Sequence, residues 1–265
     1  MSVANVYIGW DPREVPAYQV AEASLRHHAS IPVRVTPLRL RSLELAGLIR
    51  RPYRRLPKGR SMVLSDQGIE RRIVSRAASG ILWDEISMAP MATEFANSRF
   101  LTPVLAQRGW ALFVDCDVLF MADVAELLAL ADPQFAVMCV QHGALNETGE
   151  KMDGQIQLPY KRKNWSSVML FNCDHPANMG LTLEQINKRP GRDLHRFCWL
   201  DDSQIGALPA GWNWLVGVQP EPKLPKIAHY TLGGPWITNW TAKPYDDLWL
   251  SAAENLGARE LPGHA

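Results

Sequence analysis

Two aspartates separated by one residue, Asp115 and Asp117, interrupt the apolar segment ALFVDCDVLF at residues 111–120. An unpaired carboxylate at the end of a buried strand is costly, so these acids indicate a partner. Residues i and i+2 of a strand share a face, so both carboxylates can converge on one cation while Cys116 points into the core. Such oxygen ligands suit Mg²⁺ or Mn²⁺, with an anionic substrate completing the coordination shell. The spacing equally fits one aspartate that caps the next helix and one solvated turn residue.

The elements before this pair form a predicted βαβ unit. A short apolar strand at residues 4–8 leads to a helix at about residues 14–27, with Pro16 in its first turn. A second strand follows at residues 33–38, and Pro37 is expected to shorten it. Strand, helix and strand of these lengths predict a parallel sheet.

The elements around and after the aspartates continue this α/β pattern. A helix is predicted from near Thr93, kinked or ended by Pro103, and it feeds the strand at residues 111–114. Asp123 begins an Asp-x-x-Glu capping box and should start another helix. Further strands are predicted at residues 135–140, 167–171 and 226–229. Ligands of doubly wound sheets bind outside the carboxyl ends of the strands, which is where the aspartates lie.

The composition narrows the classes of protein. The 265 residues are 47% hydrophobic and 21% charged, as in an ordinary soluble globular protein. Lys and Arg number 28 against 27 Asp and Glu, so the net charge of +1 argues against nucleic acid as a partner. The cysteines form no CxxC pair, which disfavours a zinc site or a disulfide framework. No signal peptide or apolar stretch long enough for a transmembrane segment is seen, and a cytoplasmic location is predicted.

We expect one domain over residues 1–265, with a basic insertion at about residues 42–83 and a tail from about residue 231. The insertion contains RRPYRRLPKGR at residues 50–60. Such a charge run could hold an anionic acceptor or contact an anionic membrane surface peripherally, and it equally fits a solvated loop.

Three later stretches complete a pattern with FVDCDVLF. They are NWSSVMLFNC at residues 164–173, WLDDSQIGALPAGWNWL at 199–215 and KIAHYTLGGPW at 226–236. In this order they resemble the nucleotide-sugar glycosyltransferases of the GT-A fold. The resemblance is to glycosyltransferase family eight, the group of glycogenin and the lipopolysaccharide galactosyltransferases, and it covers most of the chain. It implies an α/β, Rossmann-like GT-A domain with a mixed, mostly parallel central sheet.

The resemblance implies the site residues one by one. A divalent metal, Mn²⁺ or Mg²⁺, would be held by Asp115, Asp117 and His229. Nucleotide-sugar binding is implied for Ile8, Gly9, Asp11, Arg99, Asp115, Ser166, Ser167, Gly233 and Gly234. Catalytic roles near the anomeric carbon are implied for Asp202 and Gln204. From the residues alone His229 also fits a structural histidine, Arg99 an exposed helix charge, and the 201–204 acids a helix cap.

Two positions depart from the family pattern. The family commonly has a lysine before Pro-Trp in the loop after the histidine, where this chain has Gly234. Trp165 stands where the family usually has a small polar residue. Both departures concern recognition of the substrate more than the class of reaction.

The implied activity is metal-dependent transfer of a hexose, with retention, from a nucleotide sugar to a glycan or other hydroxyl acceptor. UDP is the favoured nucleotide. A haloacid-dehalogenase-type phosphatase also has Asp-x-Asp after a strand, but it normally continues with Thr or Val where this chain has Leu119. A second alternative is a non-catalytic protein of the same fold that binds a nucleotide sugar or a glycan, with tryptophans as stacking surfaces.

Overall fold

The computed structural model of the protein describes residues 3–66, 69–75, 80–143, 150–151, 155–156, 162, 164–237 and 240–256. Its α-helices are α1 (Val15–His28), α2 (Leu40–Leu45), α3 (Thr102–Ala106), α4 (Val124–Leu128), α5 (Leu183–Lys188), α6 (Gly191–His195) and α7 (Asp246–Asn255). Its strands are β1 (Ala4–Trp10), β2 (Val33–Arg39), β3 (Tyr53–Leu56), β4 (Ser61–Asp66), β5 (Ile69–Val74), β6 (Ile81–Asp84), β7 (Ala89–Pro90), β8 (Trp110–Val114), β9 (Val118–Phe120), β10 (Val137–Cys139), β11 (Glu150–Lys151), β12 (Gln155–Ile156), β13 (Val168–Asn172), β14 (Ile205–Ala207), β15 (Trp214–Leu215) and β16 (Ile227–His229).

The central sheet has six strands in the order β14-β10-β13-β8-β1-β2. The pairs β1–β2, β1–β8 and β10–β14 are parallel, whereas β13 is antiparallel to both β8 and β10. Both faces are covered, and the strands β8 and β13 are buried along most or all of their length. The predicted mixed, mostly parallel sheet is therefore confirmed.

The first βαβ unit agrees with the sequence prediction, except at its second strand. That strand continues through Pro37 to Arg39, so the expected early end is wrong. Pro37 lies opposite Ile8, and β2 is the last strand in the order of the sheet. An edge strand tolerates proline because the missing N–H would face away from the neighbouring strand.

The predicted helix from near Thr93 is also wrong. Residues Ser98–Leu101 form a 3₁₀ turn, and α3 then begins at Thr102 with Pro103 in its first turn. The first turn of a helix tolerates a residue without an N–H, so this proline starts a helix where we expected it to kink or end one. The cap at Asp123 is confirmed, because its side chain accepts a hydrogen bond of 2.9 Å from the backbone N of Ala125.

A second, three-stranded sheet in the order β15-β16-β9 adjoins the acidic pair. The chain leaves the central sheet at the end of β8, passes Asp115 and Asp117, and enters β9 at Val118. Strand β16 runs antiparallel to β9 and places His229 directly opposite Val118. The small sheet thus brings residues more than a hundred positions apart in sequence to the same edge.

Two apolar clusters support these sheets. The larger surrounds the central sheet, and the smaller packs α1 and α7 against β9 and β16 through Trp214, Trp236 and Trp249. In the part of the chain that the structure describes, no helix combines the length and apolar character needed to cross a membrane.

The basic segment at residues 50–60 is largely engaged with the rest of the chain. Arg51 is buried, forms an ion pair with Asp84 and donates to the carbonyl of Ile186 at 2.7 Å. Arg54 and Arg55 form ion pairs of 2.7 Å with Glu85 and Glu94. These arginines therefore attach the insertion to the domain, and they have acidic partners of their own.

Candidate metal centre

Asp115, Asp117 and His229 converge on one point. A ligand atom of each lies within 4.8 Å of a ligand atom of the other two. The aspartate side chains keep 14% and 15% exposure, whereas His229 keeps 2%. Cys116, between the two acids, is fully buried, as the strand alternation predicts. The cluster is thus buried on its histidine side and partly exposed on its carboxylate side.

Arg99 balances the charge of the first aspartate. Its Nη1 lies 2.7 Å from Oδ1 of Asp115 and donates to the carbonyl of Ser166 at 2.9 Å. The guanidinium carbon lies 5.2 Å from the ring centre of Phe95 and 5.1 Å from that of Phe113, within cation–π range. Arg99 is nearly buried, so it is not the exposed helix charge of the alternative interpretation.

His229 has one ring nitrogen toward the acids and one toward the interior. Nε2 lies 3.2 Å from Oδ1 of Asp117, and Nδ1 lies 2.9 Å from Oδ1 of the fully buried Asn213. Metal-bound histidines usually donate their other N–H to such an outer partner, which fixes the orientation of the ring. Asn213 was given no role by the sequence analysis, although it belongs to the Trp-Asn pair of the 199–215 motif.

Glu14 is a further acid at this edge that sequence reasoning missed. It is buried and its Oε2 accepts from Sγ of Cys116 at 3.1 Å. Burial, and after it the charges of Asp117 and Asp11, raise the pKa of Glu14 to about 8. Its position just before α1 resembles an ordinary helix cap, so the sequence carried no signal of this environment.

The donor set fits a divalent cation. Two carboxylates supply oxygen ligands and one imidazole supplies a nitrogen ligand, and both types occur in the sites of divalent metals. A cation would also offset the repulsion between Asp115 and Asp117. It would likewise offset the repulsion between Asp117 and Glu14, which is the largest charge effect on Glu14 after burial.

The residues predicted at the end of β1 are tightly packed. Ile8 is fully buried, and a side chain at Gly9 would meet the ring of Phe95 at 2.4 Å. Asp11 is also fully buried, and its carboxylate accepts from the Arg13 guanidinium and from the backbone N of Glu94. Burial alone would raise the pKa of Asp11, but the hydrogen bond and charge of Arg13 bring it below its usual range.

The two predicted serines point to different partners. Ser166 Oγ lies 2.6 Å from Nδ1 of His195, whereas Ser167 Oγ donates to the carbonyl of Asn164 at 2.8 Å. Both serines are buried.

The two predicted glycines also have different surroundings. Gly233 has φ +104°, and its N–H donates to the carbonyl of Tyr230 at 2.7 Å. A side chain at Gly234 would meet the ring of Trp236 at 2.0 Å, so this glycine permits a close approach.

The predicted catalytic residues lie in a 3₁₀ turn, Asp202–Gln204, rather than in the helix that the sequence indicated. The Asp202 side chain is 71% exposed and forms an ion pair with Arg162. The Gln204 side chain accepts from the backbone N of Asp201 at 3.0 Å and completes a capping box. Asp201 is the N-cap residue of this turn, as in the capping alternative, and the catalytic assignment of Asp202 and Gln204 stays a prediction.

One curated relative covers nearly the whole chain. Protein CDI of Arabidopsis thaliana is 41% identical over 256 residues, which are 94% of this chain and 86% of that protein. No protein-family model matches the chain.

Several solved structures are similar in fold. The bifunctional glycosyltransferase WbbM in its apo form has a TM-score of 0.58 at 17% identity, over 96% of this chain and 50% of that chain. The apo form of the glycosyltransferase GlyE of Streptococcus pneumoniae has a TM-score of 0.55 at 12% identity, over 95% and 60%. The galactosyltransferase LgtC, in complex with donor and acceptor sugar analogs, has a TM-score of 0.50 at 13% identity, over 95% of each chain.

This chain thus spans half the length of the WbbM chain and 60% of the GlyE chain. Identities this low establish the fold and not the activity. The GT-A fold predicted from the ordered motifs is confirmed, and the sheet order and the acidic cluster described above belong to that architecture.

Proposed function

This chain belongs to the same family as Protein CDI, and we propose that it is a metal-dependent glycosyltransferase. It would move a hexose from a nucleotide sugar, preferentially a UDP-sugar, to a hydroxyl group of a glycan or another acceptor, with retention of configuration. The observation that carries the proposal is the convergence of Asp115, Asp117 and His229 within 4.8 Å on a GT-A fold. The fold supports a nucleotide-sugar donor, and the cluster supports a metal-bound diphosphate.

The residues of the cluster have distinct tasks in this proposal. Asp117 and His229 would hold the cation, and Asp115 would hold it while keeping its ion pair with Arg99. When bound there, Mn²⁺ or Mg²⁺ supplies Lewis-acid stabilisation of the charge that develops on the departing diphosphate. The solvent-facing side of the aspartates is where an anionic donor has access.

The remaining roles rest on the resemblance. Asp202 and Gln204 would stabilise the oxocarbenium-like centre of the sugar, and the buried turn after β1 would border the nucleotide. A cytoplasmic location, an anionic acceptor and peripheral contact with a membrane are part of the same proposal. The ion pairs of Arg51, Arg54 and Arg55 leave fewer cations of the insertion for such contacts.

A panel of UDP-, GDP- and CMP-sugars, each incubated with and without Mn²⁺, tests the proposal. We expect slow metal-dependent hydrolysis of one donor, with release of UDP, that is lost in Asp117→Ala. Asp247→Ala, which removes an exposed aspartate from the first turn of α7, is the matched control and should keep the activity. The anomeric configuration of the transferred sugar, read by NMR once an acceptor is found, tests retention.

The name of Protein CDI describes no enzyme, and the non-catalytic alternative predicts a different result in the same panel. Tight binding of a nucleotide sugar, without turnover at any acceptor or metal concentration, would favour a binding protein of the same fold. Absence of both binding and turnover across the panel would refute the proposed donor class.

A further inference from the structure

A buried network of hydrogen bonds connects the candidate metal centre to Asn213, which follows Trp212 in the 199–215 motif. Asn213 is fully buried in a 3₁₀ turn and lies with Oδ1 2.9 Å from Nδ1 of His229. Its Nδ2 lies 2.9 Å from Oγ of Ser167 and 3.0 Å from Nε2 of His142. The oxygen of the side-chain amide therefore contacts His229 of the cluster, and the nitrogen contacts Ser167 and His142.

Ser167 determines which end of that amide faces which neighbour. The hydroxyl proton of Ser167 is donated to the carbonyl of Asn164 at 2.8 Å, so Oγ can only accept from Asn213. The same carbonyl lies 3.5 Å from Nδ2 of Asn213. An acceptor placed at this end would face a carbonyl oxygen and a hydroxyl whose proton is already used. The amide therefore points its NH₂ group toward Ser167 and its oxygen toward His229. In this arrangement Nε2 of His142 accepts from the same NH₂ group, and Nδ1 of that ring, 3.1 Å from the side-chain amide of Gln219, carries the proton.

We infer that Asn213 is a positioning residue that keeps a proton on Nδ1 of His229, so that Nε2 is the nitrogen available to a cation. An amide oxygen accepts and never donates, so Nδ1 must be the donor in the 2.9 Å contact. Nε2, 3.2 Å from Oδ1 of Asp117, is then the ring nitrogen that can offer a lone pair to a cation at the cluster. Outer partners of this kind set the tautomer of metal-binding histidines.

This inference deepens the proposed function and rests on it as far as the metal is concerned. Its central claim, however, concerns the tautomer of one histidine, which can be measured without any metal or substrate. The proposal and the inference can therefore fail separately.

Two substitutions at position 213 and one matched control separate positioning from general stability. Asn213→Ala removes the acceptor, whereas Asn213→Asp keeps an oxygen that accepts from Nδ1 of His229. Its second oxygen replaces the NH₂ group, and the Ser167 hydroxyl must rotate from Asn164 to donate to it. Asn178→Ala is the control, because Asn178 is also a buried asparagine whose amide bonds to Ala136, Asn172 and Trp199. All are compared with the wild type after circular dichroism has shown that they fold.

The first measurement is the ¹⁵N spectrum of the neutral His229 imidazole in metal-free protein that carries Asp117→Ala, because the Asp117 carboxylate, 3.2 Å from Nε2, would otherwise accept a hydrogen bond there and favour the Nε2–H form. In that background we expect the proton on Nδ1 when position 213 is Asn or Asp and in Asn178→Ala, and a shift toward the Nε2–H form in Asn213→Ala. A ring protonated on Nε2 with Asn213 in place, or an unchanged tautomer in Asn213→Ala, would overturn the inference.

The second measurement is the affinity for Mn²⁺, followed by the loss of the free-ion EPR signal. Asn213→Ala should bind about 10- to 100-fold more weakly, the usual cost of losing an outer partner, and Asn213→Asp at least about tenfold more tightly than Asn213→Ala. An equal loss in Asn178→Ala would assign the effect to stability and sink the positioning role. If the wild type binds no Mn²⁺, the metal dependence of the proposed function fails, while the tautomer still decides the role of Asn213.

Discussion

Two regions of this molecule each hold an aspartate against an arginine, and they differ in almost everything else. At the candidate metal centre Arg99 and Asp115 are 2.7 Å apart, with side-chain exposures of 6% and 14%. At the 201–204 turn Arg162 is paired with Asp202, whose side chain is 71% exposed. The first pair is largely buried beside a second carboxylate and a histidine, whereas in the second pair Arg162 keeps 9% exposure and only Asp202 faces water. The burial of the aspartate, more than the ion pair itself, decides how strongly the pair affects the stability and the ionisation of neighbouring groups.

The largest expected effect is the loss of the buried pair. Arg99→Met leaves Asp115 without its counter-ion beside Asp117, and the free energy of unfolding of the metal-free protein should fall by about 3 kcal/mol. Urea unfolding measures this change. Mn²⁺ should then stabilise Arg99→Met more than the wild type, because the cation replaces part of the lost positive charge.

The control for that experiment is Arg54→Met, which removes an exposed arginine paired with Glu85. The exposed pair should contribute less than about 1 kcal/mol. Similar losses in the two variants would show that the Arg99 pair behaves as a surface pair, and the contrast between the regions would disappear.

The next effect separates the two regions by metal affinity. Asp117→Asn removes a charged ligand from the cluster, and the affinity for Mn²⁺ should fall at least about 100-fold, beyond the usual cost of losing an outer partner. Asp202→Asn makes the same chemical change in the exposed turn and should leave the affinity within about twofold, because surface charges are screened. Calorimetric titration with Mn²⁺ measures both, and a comparable loss in Asp202→Asn would place that residue at the metal.

A third effect is the pH dependence of stability caused by Glu14. Its carboxyl ionises at the ordinary value of 4.5 in the unfolded chain, whereas burial and the nearby Asp117 and Asp11 raise its pKa to about 8 in the folded protein. Between these values the folded state holds a proton that the unfolded state has released, so the free energy of unfolding falls as pH rises. The slope is at most about 1.4 kcal/mol per pH unit, and it ends above pH 8.

Glu14→Gln removes this titration, so the metal-free variant should lose about 2 kcal/mol less stability than the wild type between pH 5 and pH 7. Urea unfolding at a series of pH values gives the comparison. Parallel curves for the two proteins would mean that Glu14 is not protonated in the fold. Mn²⁺ should flatten the wild-type curve, because a cation beside Asp117 offsets one cause of the raised pKa.

The contrast between the two regions also shows which parts of the fold and of the candidate site could be predicted from the sequence. The strand ends were predictable, because apolar runs fix the buried strands and the i, i+2 rule puts Asp115 and Asp117 on one face. The order of four motifs predicted the fold and the pairing of His229 with these acids. Both depend on buried apolar strands, whose patterns are visible in the sequence.

The rest depended on tertiary contacts that leave no local pattern. Glu14 looks like a helix cap until the strand end behind it is known, and Asn213 shows its role only when His229 and Ser167 are beside it. Pro37 and Pro103 were misinterpreted because the effect of a proline depends on whether its strand is at an edge and where its helix begins. The acids at 201–204 were interpreted as the start of a helix, because the residues that cap helices also cap 3₁₀ turns.

The smallest effect tests that turn directly. Gln204→Ala removes the oxygen that accepts from the backbone N of Asp201 at 3.0 Å, and the free energy of unfolding should fall by about 1 kcal/mol, as for the loss of a cap. Gln204→Glu keeps a carboxyl oxygen at the same place and is the matched control, with a smaller loss. Urea midpoints decide between them. Gln204→Ala could instead unfold like the wild type and lose turnover of the nucleotide sugar. In that case Gln204 acts on the substrate and its capping hydrogen bond contributes little to stability. The 201–204 turn then belongs to the active site together with Asp115, Asp117 and His229.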